Sequence, residues 1–316
     1  MKVKIVKPVG RFLRLWGELV KSAPNACFWS TPIWVNAIAD AYKWKPFLFV
    51  AEIKNSPIVI PSVRTKKTLV FGTYDSFPFG YGAVLAEKPL DENILGELFE
   101  SISKLKIASL IINLPPGHPV LKSSDFLQIR RAFTHVLPLT FDKTDLLNRF
   151  SQTCRWRVKR AIKAGIEVKR VDVAGGIEIL GEIYKSWAKM KRPENVYSDK
   201  LLENIGKFPD DIANFYVAEH NGVGVACILN FLWRNEVYNF MAVDIRQKSA
   251  AGAINLLHYQ AVRDSIDIGA TRYVFGESLG IKSLERFKES FGAQKAPVYS
   301  VKVEGRGYKK LKRVVA

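Results

Sequence analysis

A loop carrying Arg246, Gln247 and Lys248 leads from an apolar strand into a long helix expected over residues 250–268, with Gly252 in its first turn. A helix start presents unpaired backbone N–H groups and a partial positive charge, which together can hold a phosphate or pyrophosphate. Gly252 has no side chain to obstruct that approach, and Arg246 and Lys248 add charge. The alternative is an ordinary helix start with a small residue for packing. A second concentration of cations lies in residues 143–165. There Leu147, Phe150, Cys154, Val158 and Ala161 recur every three or four positions as an apolar stripe, and Arg155, Arg157, Lys159, Arg160 and Lys163 fill the remainder. Such a face is either solvated surface or the wall of a phosphate-facing groove.

Other chemistries lack their residues. No GxxxxGK[ST] phosphate loop is present, and Gly222-Val223-Gly224 lacks the third glycine of a dinucleotide fingerprint and falls in a hairpin. His118, His135, His220 and His258 have no metal-ligand spacing, so no metal is expected. No serine elbow or cysteine–histidine signature supports a hydrolase. Cys27, Cys154 and Cys227 are odd in number and far apart, which suits packing in a reducing compartment.

The formal charge of +18 favours polyanionic partners: nucleic acid, anionic lipid or phosphorylated small molecules. No run approaches the ~20 apolar residues of a membrane span, and residues 1–20 contain no signal-peptide core. The expected location is the cytoplasm, with peripheral contact to the inner membrane face through charge.

The elements that must position these groups occur twice. Phe49-Val50-Ala51-Glu52, a turn at Lys54-Asn55 and a second apolar run are echoed 167 residues later by Tyr216-Val217-Ala218-Glu219, a turn at Asn221-Gly222 and the run 225–233. Each hairpin is followed by a strand, a helix, a strand, a helix and a strand. The expected strands are 46–52, 57–63, 68–71, 109–114 and 135–141, then 215–219, 223–233, 237–244, 273–275 and 298–303. Helices are expected at 12–16, 34–42, 89–104, 177–190, 198–208, 250–268 and 282–290, and the basic tail 309–313 is expected to be loosely held. This is an α/β chain of two domains, residues 1–145 and 146–316, with a basic linker helix over 146–165.

That element order resembles the Gcn5-related N-acetyltransferase (GNAT) fold, and residues 246–253 resemble a degraded form of its acyl-CoA pyrophosphate loop, with Ala250 in place of a glycine. A resemblance spanning nearly the whole chain is to the FemABX-like transferases, which are tandem GNAT-fold proteins. It is carried by residues 28–34, Tyr42, the Gly80-Tyr81-Gly82 turn, the basic helix 151–161 and Phe287-Lys288-Glu289-Ser290-Phe291-Gly292. The fold implied is two tandem GNAT-like domains with mixed central sheets. No long heptad insertion is present, so the coiled-coil arm of some tRNA-using members is missing. No arginine occurs at residues 195–197, where the peptidoglycan branch places an acceptor-phosphate arginine.

The resemblance implies transfer of an acyl or aminoacyl group to an amine of a cell-envelope or saccharide acceptor. Acyl-CoA or aminoacyl-tRNA would be the co-substrate, and no tightly bound cofactor is expected. Lys288 would stabilise the oxyanion formed when an amine attacks an ester or thioester. Asp244, at the end of a central strand, or Glu277, just after Gly276, would take the proton. Arg246, Lys248, Gly252 and Asn255 are the expected carrier-binding residues. Tyr81, Trp187, Tyr238, Phe240, Arg155 and Arg157 are the expected substrate-binding ones. The competing expectation is a non-catalytic adaptor that holds RNA or anionic lipid on a basic face.

Overall fold

The computed structural model describes residues 1–68, 70–76, 80–82, 84–119, 121–191, 196–245 and 250–315, with Lys191, Arg313 and Val315 as backbone only. The chain forms two compact units: Met1–Ala132 with Pro297–Ala316, and Phe133–Ala296. Unit 1 contains β1 (Lys4–Val6), α1 (Arg11–Ser22), α2 (Pro32–Ala41), β2 (Lys45–Ile53), β3 (Ser56–Lys67), β4 (Gly72–Ser76), β5 (Leu85–Ala86), α3 (Glu92–Ser103) and β6 (Ile107–Leu114). The chain passes into unit 2 within β7 (Leu127–Pro138). Unit 2 continues with α4 (Leu146–Arg149), α5 (Gln152–Lys163), β8 (Glu167–Val171), α6 (Val173–Lys191), α7 (Asp199–Ile205), β9 (Ala213–His220), β10 (Val223–Trp233), β11 (Glu236–Asp244), α8 (Ala253–Asp267), β12 (Arg272–Glu277) and α9 (Lys282–Glu289). Within β13 (Gln294–Glu304) it returns to unit 1, where α10 (Arg306–Val315) ends it.

The duplication read from the sequence is present in the strand order. Unit 1 runs β1-β2-β3-β4-β6-β13, and unit 2 runs β8-β9-β10-β11-β12-β7. In each, one pair is parallel, β4 with β6 and β11 with β12, and the other described ladders are antiparallel. Both echoing hairpins turn through two residues at positive φ, Lys54-Asn55 and Asn221-Gly222. That is the two-residue geometry whose twist matches the flanking strands. The sixth strand of unit 1 is the chain's last strand, which a linear division at 145/146 assigns to the other half.

Apolar alternation builds each core. In unit 1, Phe49, Ile58, Ile60, Leu110 and Ile112 pack against Leu95, Leu98, Phe99 and Ile102 of α3. In unit 2, Tyr216, Ala218, Ile228, Val237, Tyr273 and Phe275 pack against α5 and α8 through Cys154, Val158, Ala161, Leu257 and Ala261. Two helix starts are capped by side chains. Thr31 accepts from the N–H of Trp34, and Asp91 from that of Ile94 at 2.8 Å.

Three expectations are corrected. The strand expected at residues 68–71 begins instead at Gly72. β3 keeps pairing out to Lys67↔Gly72, which leaves Thr68 and Phe71 to close the turn by hydrogen bonds to each other. The linker is not one helix. Phe150 is extended and buried against Tyr259 and Phe291, and Ser151 starts α5 afresh by accepting from the N–H of Cys154. The basic tail is a helix, α10, docked by Tyr308 on Phe71, with ring centroids 5.5 Å apart, and by the Lys309 ammonium donating to the Asp125 carbonyl.

Candidate functional site

The parallel ladder of unit 2 opens early. β11 and β12 pair only at Glu236↔Arg272, Val237↔Tyr273 and Tyr238↔Val274, yet β11 continues to Asp244 and β12 to Glu277. On its other edge β12 stays paired with β7, through a bulge between Val274 and Gly276 that sets Gly276 opposite His135 and Glu277 opposite Thr134. A bulge twists a strand and re-aims its groups, and Gly276 accommodates this one at φ +76.

Lys288 reaches this strand end. Phe287 and Phe291 anchor its helix in the core, with rings 5.1 Å apart. Lys288 itself is 5 % exposed, and its Nζ donates to the carbonyls of Gly276 at 2.9 Å and Glu277 at 2.7 Å. Burial lowers its pKa from 10.5 to about 8, against an opposing pull from the Glu277 carboxylate. An ammonium has three N–H donors. Two are used on the strand, and the third has no acceptor among the described residues.

A pair of buried polar residues on β7 borders the same strand end. The His135 ring sits with Nδ1 3.4 Å from Ser278 Oγ. Its Nε2 lies 3.9 Å from Glu289, too far for a hydrogen bond, and has no partner among the described residues. Burial, followed by the Lys288 charge, lowers the pKa of His135, which favours the neutral ring. Thr134 Oγ1 is likewise buried without a described partner. Buried polar atoms are normally satisfied, so these two stand out beside the Lys288 ammonium. Sequence reasoning dismissed His135 for lack of metal spacing. The cross-strand pairing with Gly276 that gives it a place cannot be read from spacing.

Deeper in, Asn239 donates to Asn230 Oδ1 at 2.9 Å, Tyr273 donates to the same oxygen at 3.0 Å, and His258 Nδ1 lies 3.1 Å from the Tyr273 hydroxyl. Since the Tyr273 proton goes to Asn230, Nδ1 of His258 must carry a proton and donate. Burial, then the Lys288 charge, depresses the His258 pKa to about 3.

The start of α8 abuts the basic helix. Gly252 is its N-cap at φ +96, and a Cβ there would lie 2.5 Å from the Arg157 carbonyl oxygen and 3.4 Å from Ala161. Asn255, expected to bind the carrier, is buried with its amide 3.4 Å from Cys154 Sγ. The Arg157 side chain is exposed, and Arg155 is half-buried with its guanidinium on the Asn148 carbonyl at 3.2 Å. Arg246 and Lys248 lie outside the described residues.

Two of the expected substrate-binding aromatics belong to one row. Trp187 stacks on Tyr184 at 5.6 Å, Tyr184 neighbours Tyr197 at 6.2 Å, and Tyr197 meets Phe240 at 4.9 Å. Tyr184 and Tyr197 were not singled out from the sequence. Tyr238 is buried, with its hydroxyl donating to the Glu236 carboxylate. Tyr81 is buried in unit 1, where its carbonyl accepts from Cys27 Sγ. Asp244 ends β11 opposite Ala226, and Glu277 meets Lys288 through its backbone carbonyl. Among the described residues no group of three or more His, Cys, Asp or Glu could hold a metal ion, and no helix is long and apolar enough to cross a membrane.

No family model matches the sequence, and no curated protein matches it. Solved structures do. FemX superposes with a TM-score of 0.68 at 15% identity, covering 95% of this chain and 97% of its own. The C-terminal domain of a putative lysylphosphatidylglycerol synthetase from Agrobacterium fabrum gives 0.59 at 11%, covering 92% and 93%. A tandem GNAT protein from the clavulanic acid biosynthesis pathway gives 0.50 at 12%, covering 96% and 98%. The chain therefore has the FemX-like tandem GNAT fold, over 95% of its length.

Proposed function

We propose that the protein is an N-acyltransferase. It moves an acyl or aminoacyl group from an activated carrier, acyl-CoA or aminoacyl-tRNA, to an amine of a cell-envelope or saccharide acceptor. The observation that carries this reading is Lys288: a buried ammonium, held by two carbonyls at the end of a strand whose ladder to β11 has already stopped. The fold shared with FemX supports it.

In the proposed reaction the acceptor amine attacks the carrier's carbonyl carbon. A C–N bond forms while the electron pair moves to oxygen, and the free N–H of Lys288 stabilises that oxyanion. Asp244 or Glu277 takes the proton from nitrogen. Collapse of the intermediate expels the thiolate or alkoxide of the carrier, which receives the proton. The carrier's phosphates would lie at the start of α8, beside the exposed Arg157, with Arg246 and Lys248 contributing charge. The Trp187–Phe240 row would form an apolar wall for the acceptor. The working location is the cytoplasm, with peripheral attachment to anionic membrane.

Single-turnover transfer from acetyl-CoA and from aminoacyl-tRNA to a panel of amines, with Lys288→Met beside the parent, tests this. Transfer from one donor, reduced at least about a hundred-fold in the variant, is expected. Equal transfer by a folded Lys288→Met variant removes the role of the lysine. Absence of transfer, with binding of tRNA that collapses as salt rises, would indicate an adaptor acting through charge.

A further inference from the structure

One end of the unit 1 sheet gathers exposed apolar side chains inside a ring of cations. Ladder register brings these residues together: Lys67 pairs with Gly72, and Gly72 with Ile107, while the N–H of Gly305 donates to the carbonyl of Ala108 at 3.2 Å. The β3–β4 turn, the entry to β6 and the start of α10 therefore share this end, and the Phe71–Tyr308 contact ties turn to helix. Val70 on the turn is 59% exposed. On α10, Leu311 and Val314, three residues apart and so on one face, are 49% and 84% exposed. Lys66, Lys67, Lys106, Lys310 and Lys312 are all exposed around them. Residues 62–73, 104–109 and 305–316 contain no Asp or Glu. A recess of about 480 Å³ beside the helix is lined by Ser124, Asp125, Phe126, Arg306, Lys309 and Lys310.

We propose that this end of unit 1 docks on an anionic lipid bilayer, with Val70, Leu311 and Val314 entering the headgroup layer and the lysines lying over lipid phosphates. Charge complementarity selects an anionic partner. The exposed aliphatic side chains select a bilayer over nucleic acid, since single strands are held by cations and stacked aromatic rings. The inference gives a surface to the membrane attachment in the reading above. It is independent of the transfer chemistry, because its test reads vesicle binding and not turnover.

The test is co-sedimentation of the full chain with vesicles of phosphatidylglycerol and phosphatidylcholine, and with phosphatidylcholine alone, at low and high salt. Binding to the anionic vesicles only is expected, weakened about five-fold by each of Lys66→Gln, Lys67→Gln, Lys310→Gln and Lys312→Gln. Val70→Ser with Leu311→Ser keeps every charge and should weaken binding about ten-fold or more. These are surface positions, and circular dichroism of each variant confirms folding. Failure of the parent chain to bind anionic vesicles at low salt overturns the proposal. So does binding that the serine pair leaves unchanged, which would describe a general polyanion site better served by tRNA.

Discussion

The carbonyl oxygen of Arg157 stands 2.5 Å from where a Cβ on residue 252 would fall, so the basic helix and the start of α8 meet through a position that needs glycine. The residue first noted as leaving space for a phosphate is also leaving space for a neighbouring backbone. The contact the structure holds is the second: the missing side chain lets the Arg157 backbone pack against the helix start.

Gly252→Ala should therefore force α5 and α8 apart. A loss of about 1–3 kcal/mol is expected from overpacking, read as a lower urea midpoint with an unchanged slope. An unchanged midpoint would show that the two helices separate freely, and would return Gly252 to a role in ligand approach alone.

Lys288 makes stability depend on pH in a particular window. The unfolded side chain holds its proton to about 10.5, whereas the folded one releases it near 8. Between those values the unfolded chain binds more protons, so stability rises with pH, and below about 8 the buried ammonium is carried at full cost. Denaturation of the parent against Lys288→Met should show the parent gaining on the variant from pH 8 to 10.5. Parallel curves would mean that Lys288 is not desolvated. If transfer needs the ammonium, its rate falls above pH 8, opposite in sign to the stability.

His258 gives the same sign in a more acid window. Its folded pKa of about 3 lies below the ordinary 6.5. The stability tied to the neutral ring is complete above 6.5 and is lost as pH falls towards 3. Tyr273→Phe, which removes the hydroxyl between His258 and Asn230, should cost about 1–3 kcal/mol at neutral pH. His258→Gln should flatten the acid limb of the stability curve. A steep limb retained in that variant would assign acid sensitivity elsewhere, His118 being next in line with a pKa near 4.

How much of this was legible depends on the range of each contact. The hairpins at Lys54-Asn55 and Asn221-Gly222 were readable because alternation and turn residues are local signals. The break at Phe150 was not, because Ser151 interrupts an apolar stripe that continues through it, and the reason lies with Tyr259 and Phe291, far along the chain. β8 was missed because Glu167, Lys169 and Arg170 make it polar, as suits an edge strand. In the site, Lys288 came from a motif, whereas the two carbonyls it holds depend on a bulge. Asp244 and Glu277 stand at the strand ends where the sequence reading put them, because strand ends follow from local alternation. The Trp187–Phe240 row needed Tyr184 and Tyr197, which belong to separate elements and look like ordinary core aromatics in sequence.

The return of β13 to unit 1 fixes an order of events at the ribosome. Residues 133–296 form a contiguous unit, complete once they have emerged. The first unit must wait: its sheet lacks the strand that pairs Tyr299 with Leu114 and Glu304 with Ser109 until residue 304 has been added. Residues 1–132, although made first, thus belong to the unit finished later, and a chain cut short between residues 297 and 299 keeps the unit finished first and deprives the other of its closing strand.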